Sequence, residues 1–375
     1  MSATQATDKV SIVIVGGGSI ARAHASFIIK SPTCYLRGVV DPFPLGKELA
    51  TSLGAPYYES LAKMLSDNCQ PDIYLVSVPN GLHVEVATEI LNTAQSPKVI
   101  MVEKPLSIDG KSGTELLALA REKGCTITVG HHRRFQPPIK AAKATIESGA
   151  LGSLTAFSGL WMCKKHDGYY QEAPWRAARS SGGGPVWTNL VHDVDLIAHL
   201  TGAKIVRLWA QGTTRRRKHP GVNDPVEEGA SVMLQFANGV VGTLILCDNT
   251  PSPYAFEPAT GENPLIAEAE LPVDCYRFFG NEGSLSVPDL LLWKYKQEVA
   301  DTKGLPIGWN IPISHGKVPY TNGAPLGEQI EHLGRVARGL EAPVCSGQDG
   351  LEAVKVCEAI INALDNGDGS PVDIE

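Results

Sequence analysis

The stretch VSIVIVGGGSIA, residues 10–21, decides how the rest of the chain is read. Val10 to Val15 is a short β-branched run, Gly16-Gly17-Gly18 follows at once, and Ser19 to Lys30 carries apolar residues at helical spacing. Tyr35 to Val40 predicts a second strand ending at Asp41, so the chain opens with a βαβ unit. Gly16, Gly18 and Ala21 fit G-x-G-x-x-G/A between strand and helix, with Asp41 lying 23 positions beyond Gly18. Glycine permits the tight turn and lets backbone amides approach a pyrophosphate at the helix N-terminus, where unpaired N–H groups and the dipole favour negative charge. Gly16, Gly18, Ser19, Ile20 and Asp41 are therefore the expected contacts of a dinucleotide, with Asp41 accepting the adenosine ribose hydroxyls. A glycine-rich turn beside a solvated aspartate is the bland alternative, and the strand and helix on either side argue against it.

Working outward, Ile73 to Val78, Val99 to Val102 and Thr126 to Val129 predict buried strands, with Val84 to Leu91 and Gly113 to Lys123 as helices. Such alternation predicts a Rossmann-type, doubly wound parallel sheet. After residue 131 the pattern changes. Leu154 to Met162, Lys204 to Thr213, Ala230 to Phe236 and Val240 to Cys247 predict longer strands, the last two joined by the hairpin signal Asn238-Gly239. Leu326 to Leu340 and Gly350 to Leu364 predict helices covering sheet faces. The fold class expected is α/β: residues 8–131 as a dinucleotide-binding domain, then 132–375 as an α+β substrate-binding and oligomerisation domain with a large, mostly antiparallel sheet.

The 375 residues carry a net charge of −7, which disfavours a nucleic-acid partner. No apolar run reaches the roughly 18 residues of a membrane span, and Met1 to Lys9 lacks a signal-peptide layout. A soluble, cytoplasmic protein is expected. The eight cysteines are scattered without a C-x-x-C pair, so neither zinc nor a disulfide framework is expected and the thiols are read as buried.

Val78-Pro79-Asn80-Gly81-Leu82-His83 and Glu103-Lys104-Pro105-Leu106 both follow predicted strands, at the ends where open sheets bind ligands. Together with the glycine turn, with Trp175-Arg176, and with Gly182-Gly183-Gly184 followed by His192-Asp193-Val194-Asp195, they make nearly the whole chain resemble the glucose-fructose oxidoreductase, inositol dehydrogenase and MocA (Gfo/Idh/MocA) family. The resemblance implies an N-terminal NAD(P)-binding domain, a C-terminal sheet domain used for homodimer or homotetramer contacts, and a substrate cleft between them. It implies that Lys104 stands by the nicotinamide and the reacting oxygen, and that His192 is the acid/base. It also implies that Pro79, Asn80, His83 and Glu103 lie on the cofactor side. One position departs: the family usually has an aspartate four residues before the histidine, and here that residue is Thr188, with Asn189 beside it. A threonine hydrogen-bonds a hydroxyl but carries no charge.

Tyr169, Tyr170, Trp175 and Arg176 offer an aromatic pocket for a ring substrate or, equally, a subunit contact. His131 to Phe135, with Arg133 as the candidate substrate contact, suits an anion or the domain junction alike. Arg215 to Lys218 reads as a solvated basic loop. Asp248 to Val273 holds five prolines and four glutamates and reads as a lid or oligomer arm. The expectation is a metal-free, NAD-preferring dehydrogenase of a sugar, cyclitol or hydroxylated ring acid, with Lys104, Arg133, Tyr169, Trp175, Arg176, Thr188, Asn189 and His192 meeting substrate. Two alternatives remain open: a dihydrodiol-type dehydrogenase, and an NAD(P)-sensing regulator without turnover, as in a galactose-regulon repressor of this resemblance.

Overall fold

The computed structural model describes residues 9–374; the expected domain ends Asp8 and Glu375, and Met1 to Asp8 of the polar start, lie outside the described residues. The chain forms two compact units, one of residues 9–135 and 323–355, the other of 136–322 and 356–374.

In the first unit β1 (Val10–Val15), β2 (Cys34–Val40), β3 (Tyr57–Tyr58), β4 (Ile73–Val76), β5 (Val99–Val102) and β6 (Thr126–Val129) form one parallel sheet in the order β3-β2-β1-β4-β5-β6. Strand order reverses between β1 and β4, the position where an open α/β sheet leaves a crevice at its carboxyl ends. All six residues of β1 are buried. That is why five of its six residues are apolar with no alternation, and the exception, Ser11, gives its hydroxyl to Asp72 Oδ2 at 2.6 Å. Each fully buried isoleucine, such as Ile12 or Ile14, contributes about 1.5–3 kcal/mol. The core over β1 is closed partly by residues far along the chain: Ile330, Leu333, Val336 and Ala337 of the helix Pro325–Ala337 cluster with Ile12, Ala25 and Ile28. The compact units thus do not follow a single cut after residue 131, because burying the apolar stripe of this late helix against the first sheet draws 323–355 into the first unit.

The second unit carries a nine-stranded sheet. It comprises β7 (Leu154–Met162), β8 (Ile205–Gly212), β9 (Gly229–Phe236), β10 (Val241–Cys247), β11 (Tyr276–Gly280), β12 (Ser284–Val287), β13 (Leu291–Tyr295), β14 (Ile313–Lys317) and β15 (Val372–Asp373). Their order is β14-β13-β12-β11-β7-β10-β9-β8-β15. Pairing is antiparallel throughout except between β7 and β10, which run parallel with Met162 opposite Cys247. The Asn238-Gly239 hairpin forms as its sequence predicts, with Gly239 at φ +87° and the Phe236 N–H bonded to the Val240 carbonyl at 2.9 Å. Along β9, Val232, Leu234 and Phe236 point inward, while Ser231 and Met233 are exposed. Gly159 in β7 admits close packing: a Cβ there would lie 2.8 Å from Leu244 and 3.7 Å from Ile197 of the helix Val191–Thr201. All eight cysteines are free thiols, seven buried and Cys163 half-buried. Among the described residues no helix is long and apolar enough to cross a membrane.

Candidate active site

At the end of β1 the three glycines serve different needs. Gly16 has φ +103°, and a Cβ on it would meet the Ser77 carbonyl at 2.6 Å; one on Gly17 would meet Gly46 Cα at 2.5 Å. A Cβ on Gly18 would find nothing within 4 Å. Packing demands the first two, while Gly18 leaves bare backbone beside open space. The helix Ser19–Ile28 then begins with no side-chain cap and no acidic residue in its first turn, so no carboxylate competes there with an incoming anion. Asp41, 7% exposed at the end of β2, accepts the Gly17 N–H (2.5 Å) on one oxygen and the Phe43 N–H (2.7 Å) on the other. Its remaining lone pairs suit ribose hydroxyls. Gly46 lies so close that a Cβ would sit 2.1 Å from Asp41 Cβ, which fixes the carboxylate. This arrangement fits a dinucleotide.

Pro79 is exposed and Asn80 half-buried, on a short turn after β4. Two residues that the resemblance placed on the cofactor side are turned inward. His83 is 1% exposed, with Nδ1 2.6 Å from the Pro105 carbonyl and Nε2 3.0 Å from that of Val78. Burial lowers its pKa, against the pull of those carbonyls. Glu103 meets His24 Nε2 at 2.6 Å and accepts the Lys104 main-chain N–H at 3.2 Å. Burial opposes its charge, but the hydrogen bond and charge of His24 prevail and hold the carboxyl below its ordinary range. Both side chains brace the segment that presents the half-buried Lys104: His83 sits between the Pro105 and Val78 carbonyls, its single N–H donating to one of them, and Glu103 fills the space that a side chain at Gly130 would need. Arg133 is 2% exposed, and Arg134 bonds the Val344 carbonyl at 2.6 Å, tying this segment to 323–355 of the same unit.

In the second unit His192, 7% exposed, lies in the first turn of the helix Val191–Thr201. The approach to it is not α-helical. Val186–Leu190 is one wide turn of π-helix, so Thr188 and His192 are not simply one α-helical turn apart. The turn starts where Pro185 lacks an N–H and the Val186 N–H goes to Glu227 Oε1 at 3.0 Å. Gly184, at φ +90°, is needed because a Cβ would strike that same carboxylate at 2.5 Å. Asp193 is fully buried and accepts the Tyr276 hydroxyl.

The wide turn brings together Thr188, Asn189 and a residue that sequence reasoning missed. Lys165 Nζ lies 2.7 Å from Asn189 Oδ1, 3.3 Å from Thr188 Oγ1 and 3.9 Å from Asp248 Oδ2. Its ammonium also stands over the ring of Tyr169 at 4.7 Å. The Arg176 guanidinium covers the same ring at 4.0 Å, and Trp175 beside it is 44% exposed. Behind Lys165, the buried Asp248 accepts the Tyr170 hydroxyl and Arg217 Nη1 at 2.9 Å. Arg217 therefore corrects the reading of 215–218 as a solvated loop: its side chain is 5% exposed, and Glu228 takes the main-chain N–H groups of Arg216 and Arg217. The 248–273 segment is likewise partly internal, since Glu257 accepts Trp161 Nε1 at 3.0 Å and Asn189 Nδ2 at 3.4 Å, although Leu265 and Leu271 are exposed. A buried lysine leaves a sequence signal only when its counter-ion is nearby in the chain, and Asp248 is 83 positions away.

A family model described as an oxidoreductase family with NAD-binding Rossmann fold matches residues 10–131, and the GFO/IDH/MocA C-terminal domain matches 139–286. The chain is 25% identical to levoglucosan dehydrogenase of Pseudarthrobacter phenanthrenivorans over 95% of this chain and 96% of that protein. It is 25% identical to inositol 2-dehydrogenase of Rhizobium meliloti over 94% and 96%. In structure it resembles the WlbA dehydrogenase of Bordetella pertussis, solved with NADH and UDP-GlcNAcA, with TM-score 0.73, 19% identity, and 98% and 99% coverage.

Proposed function

The chain belongs to the Gfo/Idh/MocA family of oxidoreductases with an NAD-binding Rossmann fold, and from that premise we propose that it is a dehydrogenase moving a hydride between NAD and a secondary alcohol of a sugar, cyclitol or hydroxylated ring acid. The observation that carries this reading is the combination of an open glycine turn closed by Asp41 with Lys104 braced at the end of β5 and His192 at the head of its helix. Full-length relatives named for levoglucosan and inositol oxidation support the substrate class.

Gly18 and the head of the helix Ser19–Ile28 would hold the pyrophosphate, and Asp41 the adenosine ribose. Bound NAD would supply the hydride acceptor. Lys104 would place an ammonium at the reacting oxygen, where positive charge counts most as alkoxide character develops. His192 would take the hydroxyl proton as the hydride leaves. NADP would bring its extra phosphate against Asp41, a like-charge repulsion of about 4 kcal/mol at 4 Å and an effective dielectric near 20, before screening. A cytoplasmic homodimer or homotetramer completes the reading: the outer face of the large sheet exposes Met233, Val241, Ile245 and Phe279, a strip that a second copy would cover.

The test is a panel of anhydrosugars, aldoses, inositols and ring hydroxy acids with NAD and NADP, followed by nicotinamide absorbance. Turnover of at least one ring alcohol is expected. Tight NAD binding with no turnover across the panel would replace the dehydrogenase with a nucleotide-sensing regulator.

A further inference from the structure

Lys165 has a place that the fold constructs and that the roles assigned above do not use. Because β7 and β10 run parallel and in register, their chains leave the sheet side by side. The pairing continues beyond both strands: the Cys163 N–H donates to the Cys247 carbonyl at 3.1 Å, and the Lys165 N–H to the Asp248 carbonyl at 2.8 Å. The lysine backbone is thus fixed from one side, and Arg217 Nη2 bonds its carbonyl at 3.1 Å from another. From this anchorage the side chain, 11% exposed, reaches Thr188 and Asn189.

We propose that Lys165 is the positioning residue of the His192 helix, its ammonium clamping the wide turn Val186–Leu190 through Thr188 and Asn189. This rests on the reading of His192 as the proton acceptor. An ammonium donates only and a carboxylate accepts only. Asn189, held between Lys165 and Glu257, therefore has one orientation, with Oδ1 toward the lysine and Nδ2 toward the glutamate. Thr188 accepts from Lys165, and its one proton lies between the Gly184 carbonyl at 2.7 Å and Asn189 Oδ1 at 2.8 Å, both within the same stretch. With both side chains of the turn committed, the helix that follows starts from a defined place. The charge of Lys165 is already met inside the protein by Asp248 and Glu257, so the lysine is not a receptor for a substrate carboxylate.

The clamp is sensitive to pH. The groups facing the ammonium are Asp248 after β10, Glu257 in the helix Phe256–Thr260, Cys163 on its own strand end, Arg217 beyond β8 and the ring of Tyr169. Burial lowers the lysine's pKa to about 8, with Asp248 and Glu257 opposing and Arg217 adding to the decrease. The sign follows: the clamp is charged below that value and weakens as pH rises through it.

The experiment compares pH profiles of kcat and KM for the wild-type protein, Lys165→Gln and Lys165→Arg, with NAD affinity and thermal melting as controls. The wild type should lose kcat above about pH 8. Lys165→Gln should lose roughly tenfold in kcat at pH 7, with KM for a neutral polyol and NAD affinity little changed, as expected for loss of a charge-assisted bond in a positioned site. It should also lack the alkaline break. Lys165→Arg should recover part of the rate, also without the break. A wild-type rate and an intact break in Lys165→Gln would overturn the clamp, and so would a loss confined to acidic substrates, which would make the lysine a substrate contact. The side-chain amide signal of Asn189 in asparagine-labelled wild-type protein, assigned through Asn189→Ala, needs neither turnover nor a folded Lys165 variant. A titration of that signal near pH 8 supports the clamp even if every polyol is inert, in which case only the dehydrogenase reading falls; a flat signal overturns the clamp.

Discussion

The glycine turn at residues 16–18 and the wide turn at residues 186–190 each launch a helix to which the proposed function gives a role, and they are built in opposite ways. The first is made of backbone. Its close approaches are Gly16 to Ser77 and Gly17 to Gly46, and the side chains that shape it bond its main chain: Asp41 takes N–H groups, and the Ser77 hydroxyl lies against the Val15 and Gly16 carbonyls. The second is made of side chains brought in from elsewhere: Glu227 takes the Val186 N–H, Lys165 holds Thr188 and Asn189, and Glu257 holds Asn189 from the other side. A turn made of backbone imposes residue type at fixed spacing. A turn made of contributed side chains imposes almost none.

The largest effect is expected from the second region. A neutral alcohol that loses hydride needs its hydroxyl proton removed, and a histidine does this near neutrality with little tuning. His192→Asn should therefore lower kcat by roughly 10²- to 10⁴-fold while NAD affinity, read by fluorescence titration, stays within about twofold. A near-normal rate would move the base elsewhere and reduce the wide turn to architecture. Next comes Lys104, after β5 in the same unit as the first turn. Lys104→Ala should cost roughly 10²- to 10³-fold in kcat with NAD binding retained, and Lys104→Arg should restore little, because the guanidinium places its charge differently. Substantial turnover in Lys104→Ala would mean that the brace formed by Glu103 and His83 serves the fold alone.

This contrast explains what the sequence disclosed. The Rossmann sheet was legible because parallel strands buried on both faces read as apolar runs, and because Gly16, Gly18 and Asp41 are separated by distances that the turn itself sets. The hairpin at Asn238-Gly239 was legible for the same reason, since only a few residues tolerate φ +87°. The parallel pairing of β7 with β10 was not, because strand direction within a sheet leaves no mark on alternation. With that pairing hidden, nothing linked Lys165 to Asp248, and Arg217 looked like one of four solvated cations. The inward turn of His83 and Glu103 was equally hidden: a motif gives the position of a residue, while its rotamer depends on a partner such as His24 on another helix.

Coenzyme choice sharpens the comparison at the first region. Asp41→Ser should bring NADP affinity to within about tenfold of NAD by removing the like charge, with screening reducing the full Coulomb figure. NAD affinity itself should fall, because the carboxylate also holds the Gly17 N–H. Equal binding of the two dinucleotides by the wild type would show that Asp41 is committed to its turn and does not read the ribose.

The smallest effect expected is a change of slope. His83 has its pKa lowered in the folded protein by burial, against the pull of its two carbonyl contacts. In the unfolded chain it titrates near 6.5. Between those values the unfolded chain binds a proton that the folded protein refuses, so the stability tied to neutral His83 is full above about pH 6.5 and declines as pH falls through the folded value. Glu103, its pKa held down by His24 despite burial, adds a second decline that begins where an ordinary glutamate takes its proton and is complete below its lowered folded value. His83→Gln keeps an N–H for one of the two carbonyls, as the neutral imidazole does, but has no titrating ring. It should lose no more than about 1 kcal/mol at pH 7, the worth of one hydrogen bond made with poorer geometry, and its melting temperature should fall less steeply than that of the wild type between pH 7 and 5. If the two slopes coincide, the acid sensitivity in that window belongs to another buried imidazole of the same unit, with His332, whose pKa burial also lowers, as the first to test. The pin between Val78 and Pro105 would then hold the Lys104 segment equally well charged or neutral.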